Sequence, residues 1–198
     1  MGRLAPLAPD SLNPEQRALF EAITTGQRSK GRSLDDFLLP DGGLRGPFNP
    51  WLYATHIGHP AQRLGEAIRH ETDLPPKLRE LAILTVAAFW RADYEWWAHS
   101  RIGRDAGLTE YTIAALKQGK LPRDADADEK TVHKFAQELI EKKQLSDDTY
   151  REAAVLLGDQ GTVELVTLLG YYTLVSMTLK AFKVAMPKDQ PPPFANGA

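Results

Sequence analysis

Residues 74–107 contain two runs of apolar side chains at helical spacing, separated by a short break. This pattern restricts the possible folds more than any other feature of the sequence. Pro75 and Pro76 open the first run, where a proline lacks only an N–H that would have no helical partner. A break follows at residues 91–93, and Asp93 is the expected N-cap of a second helix that ends at Gly107. The first run places its apolar residues three and four positions apart, at Leu78, Leu81, Ala82, Leu84, Thr85 and Ala88.

Three polar residues of this stretch do not fit a simple apolar core. Glu95 and His99 are four residues apart, so they share one helix face and can touch. Glu80 lies in the first, largely apolar helix, where an unpaired carboxylate would be costly. If the two helices pack as a hairpin, Glu80 faces the other two residues. The sequence therefore predicts a site of two carboxylates and one imidazole with perturbed pKa values. Its structural alternatives are a surface Glu95–His99 pair, with Glu80 in an ordinary salt bridge to Arg91 or Arg101.

The rest of the chain shows the same helical pattern, and strand signals are scarce, so the predicted fold is all-α. Asn13, Pro14 and Gln16 form the expected start of the first helix, as cap, first helical residue and capping-box partner. The last helix, from about residue 160 to 182, is apolar over most of its circumference, so it is either central to the domain or an interface between subunits. We expect one domain over residues 1–187 and a disordered proline-rich tail over residues 188–198.

The composition excludes several classes of function. Basic and acidic side chains number 24 and 26, and no long basic run is present, so no nucleic-acid partner is expected. The chain has no cysteine, which excludes disulfides, thiolate catalysis and cysteine-based metal sites. No signal-peptide stretch is found, and the most apolar run, residues 165–179, is shorter than a membrane span. These features predict a cytoplasmic protein that binds neither membrane nor nucleic acid.

The central stretch resembles the carboxymuconolactone decarboxylase and alkylhydroperoxidase D-like superfamily. Its redox branch carries a glutamate, eleven residues, Cys-x-x-Cys, three residues and a histidine. Here the same spacing runs from Glu80 through Ala92 and Glu95 to His99, so the glutamate and histidine match and both cysteines are replaced. The phrase YEWWAH and the later GTVELVTLLGYYTLVSMTLKAF resemble the cysteine-free, decarboxylase-like branch.

The resemblance implies an AhpD-like helical domain with a central hairpin, assembled as a homo-oligomer, either a trimer or a hexamer. It also implies a cofactor-free lyase or isomerase that acts on a small carboxylated lactone or a related acid of aromatic catabolism. Glu80, Glu95 and His99 are then the catalytic candidates. The candidates for binding the small-molecule substrate are Tyr94, Trp96, Arg101 and His56.

Three alternatives remain open at this point. Glu95 and His99 have the spacing of metal ligands, but a pair is too few for a catalytic zinc site, so no metal is predicted. The superfamily would also suggest a peroxidase, but a chain without cysteine can have no thiol-dependent peroxidase activity. The same scaffold could also serve as a non-enzymatic oligomeric protein that binds small molecules.

His70 and His133 lie among charged residues and are expected to be solvated. Tyr171 and Tyr172 are expected to serve packing.

Overall fold

The computed structural model describes residues 2–123 and 125–194. This part of the chain forms eight α-helices and no β-strand, apart from one isolated bridge between Leu38 and Leu44, which confirms the all-α prediction. The helices are α1 (Pro14–Thr25), α2 (Phe48–Leu52), α3 (Thr55–His70), α4 (Pro76–Trp90), α5 (Asp93–Asp105), α6 (Glu110–Leu116), α7 (Ala127–Gln137) and α8 (Asp147–Ala181). A π-helical turn, Glu138–Lys142, continues α7.

The described chain divides into two compact units. The first unit consists of residues 2–71 with 178–185 and contains α1, α2 and α3. Its first helix begins as the sequence predicts, because the Asn13 side chain accepts from the backbone of Gln16 and the Gln16 side chain accepts from the backbone of Asn13. Leu19 and Ile23 of α1 are fully buried in this unit.

The second unit consists of residues 72–177 with 186–194 and is built around α4 and α5. As the sequence predicts, α4 begins at the Pro75–Pro76 pair. Arg91 ends it in the left-handed conformation, with φ 48° and ψ 46°. The predicted N-cap is wrong by one residue: Ala92 is the N-cap of α5, and Asp93 is its first helical residue. The Asp93 carboxylate instead accepts a hydrogen bond from the backbone N–H of Phe194, at 2.8 Å.

Helix α7 buries more of its polar residues than its sequence indicates. The prediction that His133 is solvated is wrong, since only 6% of the residue is exposed. Val132, Phe135 and Ala136 are buried on the same helix. His133 follows Val132 directly and precedes Ala136 by three residues, so it lies at the edge of this apolar face.

Helix α8 is the longest element and is interrupted at Gly158, just before residue 160, where the sequence predicts the start of the last helix. Gly158 has φ 69° and ψ 177°, a conformation that glycine adopts at little steric cost, and it kinks the helix. By length and composition alone, α8 could cross a membrane, but half of its most apolar window is buried inside the protein. Leu165, Leu168, Leu169 and Val175 are among the buried residues, which fits the interpretation of α8 as a core helix.

The proline-rich end of the chain is described as far as Phe194. The Phe194 ring packs edge-on against Trp96, with the ring centroids 5.4 Å apart. Its carbonyl oxygen accepts a hydrogen bond from Arg91 Nη2 at 2.8 Å. Phe194 therefore docks beside the turn between α4 and α5. The rest of the segment that the sequence predicts to be disordered, residues 195–198, lies outside the described residues.

Candidate functional site

The hairpin of α4 and α5 brings Glu80 and His99 together across a close helix–helix contact. Gly103, on α5, lies at this contact: a Cβ atom there would lie 3.5 Å from Leu84 Cδ1 and 3.7 Å from Glu80 Cβ, both on α4, at ordinary van der Waals distances. The glutamate on α4 and the histidine on α5 are both held in the interior of the second unit.

His99 lies between two carboxylates and contacts both. Its Nδ1 is 2.6 Å from Glu80 Oε2, and its Nε2 is 3.0 Å from Glu95 Oε1. All three residues are buried, with 0% of Glu80, 4% of Glu95 and 6% of His99 exposed. A protonated imidazole donates from both nitrogens, so it satisfies both carboxylates at once. We call these three residues the Glu80–His99–Glu95 cluster.

Arg79 adds a second positive charge next to the cluster. Its Nε lies 3.9 Å from Glu80 Oε1, and its side chain is mostly buried. With His99 protonated, two cations face two carboxylates, and the four charges balance. This balance reduces the cost of keeping the carboxylates ionised in the protein interior. In the sequence, only the position of Arg79 next to Glu80 marks it as a member of the site.

Tyr172, on α8, completes the surroundings of the imidazole. Its ring meets the His99 ring edge-on, with centroids 5.0 Å apart and an interplanar angle of 82°. Tyr171 packs against Tyr172 in the same manner. The expected packing role of these tyrosines thus includes a contact with the predicted site. Spacing could not reveal this contact, because α8 is far from the hairpin in sequence.

The two carboxylates determine the protonation state of His99. Burial alone would lower the pKa of His99, but the negative charges of Glu80 and Glu95 and their hydrogen bonds outweigh it. The net result is a pKa raised above the ordinary value of 6.5. A neutral imidazole has only one N–H, so deprotonation would leave one of the two carboxylates without its hydrogen bond.

We expect the folding stability of this protein to fall as the pH rises above about 6.5 and through the raised pKa of His99. In that range the folded state holds a proton that the unfolded state has lost, so each rise in pH favours unfolding. Urea titrations from pH 6 to pH 9 measure the effect as the free energy of unfolding. His99→Gln should flatten this dependence, whereas His70→Gln, at an exposed histidine, should not. Equal pH dependence in wild type and His99→Gln would contradict the assignment.

Three of the four residues predicted to bind substrate make other contacts in the structure. Arg101 is exposed, and its guanidinium lies 5.1 Å from the centre of the Trp97 ring. Arg101 follows His99 by two residues, so it leaves α5 on a different face from the cluster. Tyr94 packs on Trp97, with the ring centroids 5.5 Å apart, and Trp96 packs on Phe194.

His56, the remaining predicted substrate residue, lies on α3 in the first unit, and its side chain is exposed. Among the described residues, no group of three or more histidine, aspartate and glutamate side chains has the arrangement of a metal site. Within the cluster, each His99 nitrogen already contacts a carboxylate oxygen.

Comparisons with known proteins agree with this architecture. Residues 58–138, which include the whole cluster, match the model of the carboxymuconolactone decarboxylase family. Among solved structures, the fold is similar to that of a protein of unknown function from Agrobacterium tumefaciens, named there as a candidate antioxidant defence protein AhpD. The likeness covers 73% of this chain and 100% of that one, with a TM-score of 0.65 and 13% sequence identity. At this identity it shows the fold alone. No curated protein sequence matches the chain.

The helical hairpin with its buried glutamate and histidine gives the chain an AhpD-like helical fold. This fold and the match of residues 58–138 to the carboxymuconolactone decarboxylase family model confirm the resemblance found in the sequence.

Proposed function

We propose that this protein is a cofactor-free carboxy-lyase that acts on a small, unsaturated, carboxylated lactone, in the manner of a carboxymuconolactone decarboxylase. The observation that carries the proposal is the contact of both His99 nitrogens with buried carboxylates. This arrangement can pass a proton from one carboxyl group to the other through the imidazole. Decarboxylation ends in the protonation of a carbon atom, so it needs such a source of protons.

The proposed reaction needs no oxidant and no second substrate. The bond between the ring carbon and the carboxylate breaks, and its electron pair moves through the adjacent double bond into the lactone carbonyl. Carbon dioxide leaves, and the electron pair then returns to form a C–H bond with a proton delivered by the cluster. A buried site favours the loss of a charged carboxylate as neutral carbon dioxide.

Within the cluster, Glu95 is the proposed group that delivers the proton to the substrate. It occupies the position at which the redox branch has its second cysteine, and it is slightly exposed, whereas Glu80 is fully buried. His99 then supplies the proton to Glu95, and Glu80 fixes the ring and stabilises its positive charge.

Incubation of the purified protein with 4-carboxymuconolactone in D2O tests the proposal. We expect release of carbon dioxide and incorporation of one deuterium into the lactone ring of the product. Glu95→Gln keeps the size of the side chain but cannot transfer the proton, so the rate should fall about 10²-fold or more. Absence of both carbon dioxide release and deuterium incorporation would refute this substrate. The same assay without thiol should show full activity, because the chain has no cysteine.

The proposal includes a homo-oligomer, a trimer or a hexamer as in the superfamily resemblance. Helix α8 supports it with a row of exposed positions at Val163, Val166, Gly170, Leu174 and Met177. The spacings of three, four and seven residues are those of a seam between packed helices. An exposed apolar row of this kind is typical of an interface between subunits. We name these five positions the α8 row.

A further inference from the structure

Both backbone polar groups of Phe194 are bonded by side chains of the turn between α4 and α5. The Phe194 N–H donates to Asp93 Oδ1 at 2.8 Å, and the Phe194 carbonyl oxygen accepts from Arg91 Nη2 at 2.8 Å. Each bond has one charged partner, so each is stronger than a hydrogen bond between neutral groups. Main-chain hydrogen bonds of this kind supply the affinity when proteins bind extended peptides.

The Phe194 ring lies in a recess formed by one indole and two cations. Trp96 meets the ring edge-on, with centroids 5.4 Å apart. Arg91 Cζ and Lys117 Nζ lie 5.5 Å and 5.8 Å from the ring centroid, within the range of cation–π contacts. A side chain without a ring would lose these contacts, so the recess favours an aromatic residue. We call Arg91, Asp93, Trp96 and Lys117 the turn recess.

The turn recess is reached from the protein surface. Arg91 and Lys117 are exposed, and Asp93 and Phe194 are partly exposed. The three prolines at residues 191–193 restrict the backbone before Phe194 docks, which reduces the entropy that docking costs. An extended segment of proline followed by phenylalanine is therefore the partner that this surface fits.

The turn that Phe194 contacts has little local support of its own. Arg91 has a positive φ of 48°, a conformation that costs energy for a residue other than glycine. Ala92 is the N-cap of α5, and its methyl side chain cannot accept from the first N–H groups of the helix. Phe194 bonds to the residues on both sides of Ala92, so it ties the end of α4 to the start of α5.

The first turn of α5 also carries Glu95, which follows Asp93 by two residues and contacts His99. We propose that residues 191–194 form an intrachain latch, in which Phe194 in the turn recess holds the first turn of α5 and so positions Glu95 against His99. Phe194 is a positioning residue, because it acts on the cluster through the turn. The latch sets the geometry of the cluster, whatever reaction the cluster performs.

NMR titration of the full-length protein tests the latch. In Phe194→Ala, we expect the pKa of His99 to fall by about half a unit or more towards 6.5, because a displaced Glu95 stabilises the imidazolium less. The signal of the Trp96 indole N–H should shift as well. Phe194→Tyr keeps the ring and should keep the wild-type behaviour. Gln190→Ala, at an exposed position of the same segment, is the matched control and should change neither signal.

A peptide added to Phe194→Ala shows whether the turn recess recognises the segment itself. Acetyl-Pro-Pro-Pro-Phe-amide at millimolar concentration should return the His99 and Trp96 signals towards their wild-type positions. Acetyl-Pro-Pro-Pro-Ala-amide should have no effect. Millimolar peptide is the appropriate range, because a short flexible tether gives a docked segment an effective concentration of that order.

The latch is overturned if Phe194→Ala leaves the His99 pKa and the Trp96 signal unchanged, or if Gln190→Ala changes them equally. It is also overturned if the phenylalanine peptide restores neither signal. A wild-type His99 signal that changes on dilution would place Phe194 on a second copy of the chain, which contradicts an intrachain latch.

Discussion

Replacement of His99 by glutamine is expected to lower the rate of the proposed decarboxylation about 10²- to 10⁴-fold, the range typical of general acid–base groups. His99 joins the two glutamates, and both of its nitrogens are occupied by their oxygens. Glutamine can hydrogen-bond within the same space, but its amide cannot carry a proton at neutral pH. The rate of carbon dioxide release from 4-carboxymuconolactone at saturating substrate measures the loss.

Two further variants show whether a loss of rate has this cause. His70→Gln makes the same substitution at an exposed position and should keep full activity. Glu80→Gln removes one of the charges that raise the pKa of His99, so NMR titration should show that pKa falling towards or below 6.5. Full activity of folded His99→Gln, or an unchanged His99 pKa in Glu80→Gln, would contradict the proposed role of the cluster in the reaction.

Much of the site could be predicted from sequence because it lies within one helical hairpin. The four-residue spacing of Glu95 and His99 fixes their contact on α5, since neighbouring turns of a helix bring such residues together. The short break at Arg91 and Ala92 forces α4 and α5 to pack against each other, which brings Glu80 to His99. Local periodicity therefore determined the position of all three residues.

Some contacts could not be predicted because they join residues that are far apart in sequence. Others involve residues whose neighbours in sequence indicate a different environment. Tyr172 reaches His99 from α8, and no spacing rule connects two such distant helices. His133 has lysines three residues before it and one residue after it, which made it look solvated, yet it lies at the apolar edge of α7. Phe194 follows three prolines, a composition typical of disorder, but its single aromatic ring docks on Trp96.

The sequence predicts that α8 is apolar around most of its circumference. It does not show which residues of α8 face the core and which lie on the surface. Leu169 and Leu174 belong to the same apolar run. Leu169 is buried, with 2% exposed, and Leu174 is 43% exposed on the α8 row. A helix that is apolar all round gives no polar face from which to orient it. The two leucines now provide a matched pair that separates folding from assembly.

Leu169→Glu is expected to unfold the protein, and Leu174→Glu to dissociate an intact fold. The first change puts an unpaired carboxylate into the core and removes a buried leucine, at a combined cost of about 4 kcal/mol or more. That cost is a large part of the total stability of a domain. The second change puts the same charge on the α8 row, where it would be buried only in the oligomer.

Circular dichroism and light scattering separate these outcomes. Leu169→Glu should lose its helical signal or its cooperative thermal transition. Leu174→Glu should keep both and run at the mass of a single chain, while the wild type runs as a trimer or a hexamer. Val155→Glu places a charge on α8 before the Gly158 kink, at an exposed position outside the α8 row, and should keep the wild-type mass. The interface assignment fails if the wild type is monomeric at micromolar concentration, or if Leu174→Glu assembles as the wild type does. If the α8 row is an interface, its exposed apolar side chains are buried between subunits of the oligomer. The charge introduced by Leu174→Glu then prevents this burial.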